Sequence, residues 1–262
     1  MRSVAKLATI ALDDVTPSTS YEAPRTATGV RWSKRLSPDD YSIWLVVSEL
    51  DDGAELAWEG EHGDDGVYVV AGELDVDGHR CPADGAVVVE SGVSCTARAL
   101  GPARIVHCGA RDSAPPTDGL YGPPAPDGHG VHIVGERGWY VSGSRERVVA
   151  RWFADSTCPT CRISLFHVWR GEGGVRDRPH THSQDELILA LYGSVLLGRR
   201  EHAPGTCLAV PADVRYSITS GPDGLAFLNY RRDVSVQGYG RDEPTELEGG
   251  IVRGGVAVND FR

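Results

Sequence analysis

Apolar positions along this chain come in short runs broken by turn residues. The runs are "SIWLVV" (42–47), "VYVVAG" (67–72), "AVVVE" (86–90), "ARIVH" (103–107), "RISLFHVW" (162–169), "LILALYG" (187–193), "CLAVP" (207–211) and "GLAFLNY" (224–230). Each has the length of a strand and is rich in β-branched and aromatic residues. They recur about every ten residues, with Gly, Pro and Asp between them, which predicts an all-β sandwich or barrel. No segment sustains the 3.6-residue spacing of an amphipathic helix.

The pattern repeats. With Gly53 placed over Gly174, the residues Glu59, Glu61, Asp65 and Gly72 fall on His180, His182, Glu186 and Gly193 without a gap. One residue of slippage in the next hairpin sets Gly85 on Gly205. Gly101-Pro102 then falls on Gly221-Pro222, and "RIVHCGARD" matches "AFLNYRRD" through to the shared Arg-Asp. A self-match of this kind predicts two copies of one β module. The copies run over 1–111 and 131–262, with the Pro/Gly-rich stretch 112–130 as the linker.

Composition narrows the reading. The chain has 262 residues, 40% of them hydrophobic, enough to bury a core. Its formal charge of −11 comes without a basic stripe, which argues against nucleic acid and anionic membrane as partners. No apolar run approaches the roughly 20 residues of a membrane span. The start, "MRSVAKLATIALDDV", is interrupted by Asp13 and Asp14 and reads as mature protein. Six scattered cysteines in a chain of this length are expected to be free thiols in the cytoplasm. Cys158 and Cys161 have the C-x-x-C spacing, but no second pair completes a zinc site, and a loop is the expected setting.

The strongest chemical signal lies in "GVRDRPHTHSQDELILALYG", Gly174 to Gly193. Alternate residues of a strand share a face, so His180 and His182 point the same way. Glu186 follows a polar corner and can face them from the next strand. Two imidazoles and a carboxylate make a facial triad that leaves coordination positions open. That suits non-haem Fe(II), with Zn, Mn or Ni as alternatives. The bland alternative is a pair of surface histidines beside a capping glutamate. Asp177, Gln184 and Asp185 are local candidates to accept the outer hydrogen bonds of the imidazoles. By alternation His167 shares a face with Leu165 and Trp169, which makes His167 and Trp169 candidate pocket residues. Asn229 and Arg231 share another face and are candidates to anchor a polar substrate.

The full frame resembles the first motif of the cupin superfamily: Gly174, five residues, His180-x-His182, three residues, Glu186, six residues, Gly193. "GTCLAVPADVRY" resembles the second motif through Gly205 and Pro211. The resemblance covers both halves and implies a bicupin: two tandem double-stranded β-helix (jelly-roll) barrels, with metal inside one end. Two positions depart from the family pattern. Asp213 stands where a glycine is usual, and Tyr216 where the family keeps a third histidine. Tyr216 is then a wall residue, a weak ligand, or a catalytic acid–base group whose pKa a nearby metal lowers.

The resemblance implies one divalent metal ion per chain, Fe(II) favoured, and an oxygenase or dioxygenase acting on a small organic molecule that chelates the metal. A redox-neutral isomerase, lyase or cyclase using Tyr216, or a non-catalytic small-molecule-binding bicupin, are the alternatives. A monomer or homodimer is expected. In the first half, Glu59, Glu61 and Asp65, with Thr96 at the place of Tyr216, offer only oxygen donors. Such a set either holds a hard cation such as Ca or Mg or faces solvent at an open barrel mouth.

Overall fold

The structure is a computed structural model. It describes residues 6–111, 130–143, 147–155, 161–233, 235–240, 243–247 and 256–257. Residues 112–129 of the expected linker, and Cys158, lie outside them. Among the described residues the strands form two sheets of nine and one of three, and the only helix is the single 3-10 turn Leu12–Asp14. No helix among them is long and apolar enough to cross a membrane.

One nine-stranded sheet is built mostly from the first half of the chain, and the other mostly from the second. Each curls around its own apolar interior. Leu56, Trp58, Val67, Val87 and Ile105 fill the first. Trp152, Phe166, Ile188, Leu208 and Phe227 fill the second. A third cluster joins them, drawing Leu45, Tyr68 and Cys108 from one side and Leu165, Leu187, Leu189 and Tyr230 from the other. This explains why "LILALYG" is apolar throughout. Ile188 and Ala190 face the barrel interior, while Leu187 and Leu189 face the neighbouring barrel. A strand buried on both faces carries a continuous apolar run instead of an alternating one.

The division drawn along the sequence is crossed twice by strand pairing. Ala8–Ala11 adds to the second sheet, with Ala8 opposite Ala209. Val131–Val134 adds to the first, with Val131 opposite Val89. Each half thus lends one strand to the other, and each added strand covers an edge that would otherwise be open. Tyr41 strengthens the tie: its hydroxyl donates to the carbonyls of Lys6 (2.9 Å) and Ala209 (2.7 Å).

The repeat appears in the pairing. Asp65 opens the strand Asp65–Ala71 and lies opposite Val89 and Gly109. Glu186 opens Glu186–Leu197 and lies opposite Val210 and Arg231. Gly109 therefore corresponds to Arg231, one residue off the match through the shared Arg-Asp. Side-chain direction alternates strictly along a strand, so a one-residue slip would turn the inward face outward. The pairing decides the register. Two matched glycines have a common cause. A Cβ at Gly193 would lie 2.1 Å from the Gly224 carbonyl oxygen, and one at Gly72 2.6 Å from that of Pro102. Both have positive φ, the region that favours glycine.

Gly66 is where the barrels approach most tightly at a glycine. A Cβ there would stand 2.8 Å from Leu165 Cδ2 and 3.5 Å from Ile163 Cδ1. Gly66→Val is expected to cost about 1–3 kcal/mol by overpacking. Urea unfolding measures it, and an unchanged midpoint would show that the barrels part at no cost.

Candidate metal centre and cavity

In the second barrel a cavity of about 270 Å³ opens at the end where Glu186 begins its strand. His180, His182, Glu186, Tyr216, Asn229 and Arg231 all line it, and all are buried. Their placement follows from the backbone. His182 sits on Thr181–His182, which pairs with Val236–Gly238 in the small third sheet. His180 and Tyr216 exchange backbone hydrogen bonds of 3.0 Å in both directions, which sets the phenol beside the imidazole. Their ring centroids are 4.8 Å apart, and those of His180 and His182 4.7 Å. Asp213, in the family's glycine position, adopts φ 61°, and its N–H donates to the His182 carbonyl at 2.8 Å. Aspartate is among the few residues that tolerate this conformation.

Glu186 is fully buried and heavily solvated by protein. Asn229 Nδ2 donates to Oε1 at 2.5 Å, and Arg231 donates to the same oxygen through Nε at 2.9 Å and also through Nη2. The Tyr216 hydroxyl donates to Oε2. Burial pushes the carboxyl pKa up, but Arg231, His182 and these hydrogen bonds outweigh it and bring it to about 2. Glu186 is therefore a carboxylate at any ordinary pH. Burial lowers the His180 pKa against the opposing hydrogen bond to the Arg178 carbonyl, which favours the neutral imidazole. Its Nδ1 lies 2.7 Å from the Arg178 carbonyl. As the N–H donor there, it leaves Nε2 as the nitrogen with a free lone pair. The outer acceptor of His180 is thus a backbone carbonyl, and two of the side chains singled out by proximity, Asp177 and Asp185, bind other partners. Asp177 pairs with Arg170 at 2.6 Å. Asp185 binds Ser42 of the first half and the Ala212 N–H, stitching the barrels together.

Two imidazoles and a carboxylate are donor types that divalent ions take. Two ligands each about 2.1 Å from one ion lie no more than about 4.2 Å apart, and His182 Nε2 is 3.7 Å from Glu186 Oε2. The Arg231 guanidinium intrudes, however, with Nη2 3.3 Å from His182 Nε2 while it bonds Glu186. As the side chains stand, no three His, Cys, Asp or Glu among the described residues converge on a common point. In kind, and in the His182–Glu186 spacing, the residues fit a divalent ion once the guanidinium withdraws.

Two expected pocket residues are not in the cavity. On the strand Ile163–Arg170 it is Phe166, Val168 and Arg170 that face it. His167 points to the other barrel, stacked on Tyr68 with centroids 6.1 Å apart and 3.0 Å from Arg151 Nη2. Burial, with Arg151 beside it, pushes His167 down to about 4. Trp169 is on that same face and 41% exposed. Alternation grouped these residues correctly, but both faces of this strand are largely apolar and the wrong face was chosen. The second face exists only because a whole barrel packs on it. Arg170 was missed. It holds Asp177 and lies over the Phe227 ring, 5.2 Å from its centroid.

The matching end of the first barrel is filled. Asp65 pairs with Arg25 through two bonds, Nε–Oδ2 at 2.6 Å and Nη2–Oδ1 at 2.9 Å. Trp58 Nε1 donates to Oδ2 at 2.9 Å. His107 is fully buried, and burial keeps it neutral. Its Nε2 lies 3.2 Å from Asp65 Oδ2 and its Nδ1 2.6 Å from the Tyr21 hydroxyl. One tautomer satisfies both contacts: Nε2–H donates to the aspartate, and Nδ1 accepts from the tyrosine. Glycine at 109 makes room, since a Cβ there would be 2.3 Å from both Asp65 Oδ1 and Trp44 Cζ2. The three first-half carboxylates therefore do not act together. Glu59, Glu61 and Thr96 are exposed, whereas Asp65 is locked inside by an arginine. Nor are His62 and Asp64 at an open mouth: both are buried, and Asp64 accepts from the backbone N–H groups of Ser91 and Arg162.

Comparison with known proteins adds the fold. No protein-family model matches the chain, and no curated protein matches it in sequence. Solved structures do match. Lactobacillus farciminis oxalate decarboxylase in its formate complex superposes with a TM-score of 0.65 at 14% identity, over 88% of this chain and 87% of that one. Bacillus subtilis oxalate decarboxylase, a protein with Mn(II) centres, gives 0.62 at 15% identity over 88% and 78%. At such identity the likeness shows the fold, an all-β cupin-type barrel architecture, and the chemistry has to be argued from the site.

The buried carboxylates make a testable contrast. Asp65→Asn leaves Arg25 buried without its counter-charge and is expected to cost about 3–5 kcal/mol. Glu59→Gln with Glu61→Gln is expected to stay within about 0.5 kcal/mol. Burial raises the Asp65 pKa, but His107 and Arg25 hold it below the usual range. A depressed folded pKa means stability that is fully present above about pH 4, the unfolded value, and is lost as pH falls through the folded one. The Asp65→Asn deficit should therefore shrink in acid. Denaturant titrations at pH 7 and pH 3 check this, and a deficit constant with pH would contradict the charge argument.

Proposed function

We propose that the cavity of the second barrel is the reactive centre of a metal-dependent enzyme acting on a small organic molecule, and that the chain as a whole is a bicupin whose first barrel is structural. The observation that carries this is the gathering of two imidazoles, a permanently ionised carboxylate and a phenol, all buried, around one end of a single cavity. His180, His182 and Glu186 would hold the ion. A divalent ion there supplies a Lewis acid that polarises a substrate oxygen.

Two chemistries share such a centre. A facial triad suits Fe(II) and oxygenase or dioxygenase chemistry on a chelating substrate. The other is redox-neutral isomerase, lyase or cyclase chemistry, and Tyr216 favours it. Its hydroxyl already makes a hydrogen bond to Glu186 beside His180, where a proton can pass to or from a bound substrate. We take the redox-neutral reading as the better supported, with Phe166, Val168 and Phe227 forming the apolar wall against the substrate. The free thiols Cys81, Cys95, Cys108 and Cys207 accord with a reducing compartment such as the cytoplasm.

Mn(II) titrated into metal-free protein, followed by loss of the free-ion EPR signal, is expected to show one site per chain. His180→Ala and Glu186→Ala should abolish it, and full binding by both would remove the assignment. Tyr216→Phe should keep the ion and lower turnover by about 10²–10⁴. With Fe(II)-loaded protein and a panel of diketones, flavonols and hydroxy acids, deuterium exchange into substrate without O2 uptake is the expected result. Stoichiometric O2 uptake would establish the oxygenase instead.

A further inference from the structure

We propose that Arg231 is a built-in latch on the metal centre: its guanidinium holds Glu186 in the metal-free protein, and ion and arginine compete for that carboxylate. The proposal rests on the metal reading above and adds a regulatory element to the same site. Arg231 touches two of the three expected donors at once, bonding Glu186 Oε1 through Nε and Nη2 and placing Nη2 3.3 Å from His182 Nε2. An ion taking both His182 and Glu186 as donors would have to share them with this guanidinium. Arginine cannot shed its proton, so with the guanidinium in place an ion would set three positive charges against one buried carboxylate. One of the two cations has to leave.

The cavity offers the guanidinium somewhere to go. Arg231 lies over the Phe166 ring, 5.3 Å from its centroid. Phe166 lines the cavity, so the side chain can draw back over that ring and keep a cation–π contact. The amide of Asn229 gives a second, independent sign. Its Nδ2 donates to Glu186 Oε1, but Oδ1 is buried and has no hydrogen-bond partner among the described residues. A buried acceptor left over beside the latch marks this arrangement as one that is not fully satisfied. The first barrel shows the contrasting case. The equivalent carboxylate, Asp65, is also held by an arginine, but Arg25 lies over the Trp44 ring, Trp58 donates to the same carboxylate, and glycine replaces the latch position.

A latch reduces apparent affinity by the fraction of molecules in which it stands open. If that fraction is about 1–10%, Arg231→Met should bind Mn(II) about 10–100-fold more tightly than wild type. Metal-free Arg231→Met should also melt at a lower temperature, because Glu186 has lost its counter-charge, and Mn(II) should restore it. Arg231→Lys keeps the charge but not the two-pronged grip, so its Mn(II) affinity should fall between the two. It also decides the matter should metal-free Arg231→Met not fold. Equal Mn(II) affinity across wild type, Arg231→Lys and Arg231→Met would overturn the latch and leave the metal reading intact. Weaker binding by both variants would also overturn it, making Arg231 an aid to the ligand. Absence of Mn(II), Fe(II) and Zn(II) binding by all three proteins would remove the metal reading and the latch with it.

Discussion

A carboxylate sealed away from water must be met by positive charge and hydrogen-bond donors, and this chain sets one at the same place in both of its barrels. Asp65 and Glu186 each open the strand that pairs on both sides with partners of the same sheet. Each is buried, and each is held by an arginine. The cost of stripping water from an ion is several kcal/mol even after relaxation, so the surroundings of both are built to compensate it. The two barrels differ in how they do so, and that difference separates a structural barrel from a candidate reactive one.

In the first barrel side chains supply the compensation. Arg25, Trp58 and His107 satisfy Asp65, and Tyr21 in turn satisfies His107. Trp44 stands edge-on to the same imidazole, with centroids 4.8 Å apart. Large aromatic side chains occupy the space a substrate would need. In the second barrel the arginine comes from the sheet itself, and the imidazoles from the corner before the strand. A cavity remains, with aromatic wall on one side and polar groups at its end. The two barrels share one frame. Substitution at a few inward positions, Gly109 against Arg231 and His107 against Asn229, turned it to two ends.

Packing between the barrels makes both arrangements rigid. The shared apolar cluster, the two exchanged strands, and polar ties such as Asp185 with Ser42 and Asp64 with the Arg162 N–H hold the halves together. Asp185 is adjacent to Glu186, so the contact that joins the barrels also steadies the corner bearing the candidate ligands. Destabilising the interface should therefore be felt at the site.

Local signals were enough to read the β class, the internal repeat and the His180-x-His182, Glu186 frame, because strand length, turn residues and ligand spacing are properties of neighbouring positions. Gly72 and Gly193 were legible as a pair for the same reason: a turn that needs positive φ leaves its mark in the residue type. Tertiary structure decided what depends on distant partners. The inward face of Ile163–Arg170 could not be chosen from a run apolar on both sides, so His167 and Trp169 were misplaced. The register of the last matched strand, the exchange of Ala8–Ala11 and Val131–Val134, and the burial of Asp65 by an arginine 40 positions away all rest on pairing between remote segments. The same holds for Arg231. Its sequence neighbours marked it only as a candidate to anchor a polar substrate. That it stands between His182 and Glu186 follows from the alignment of two strands, which no local pattern records.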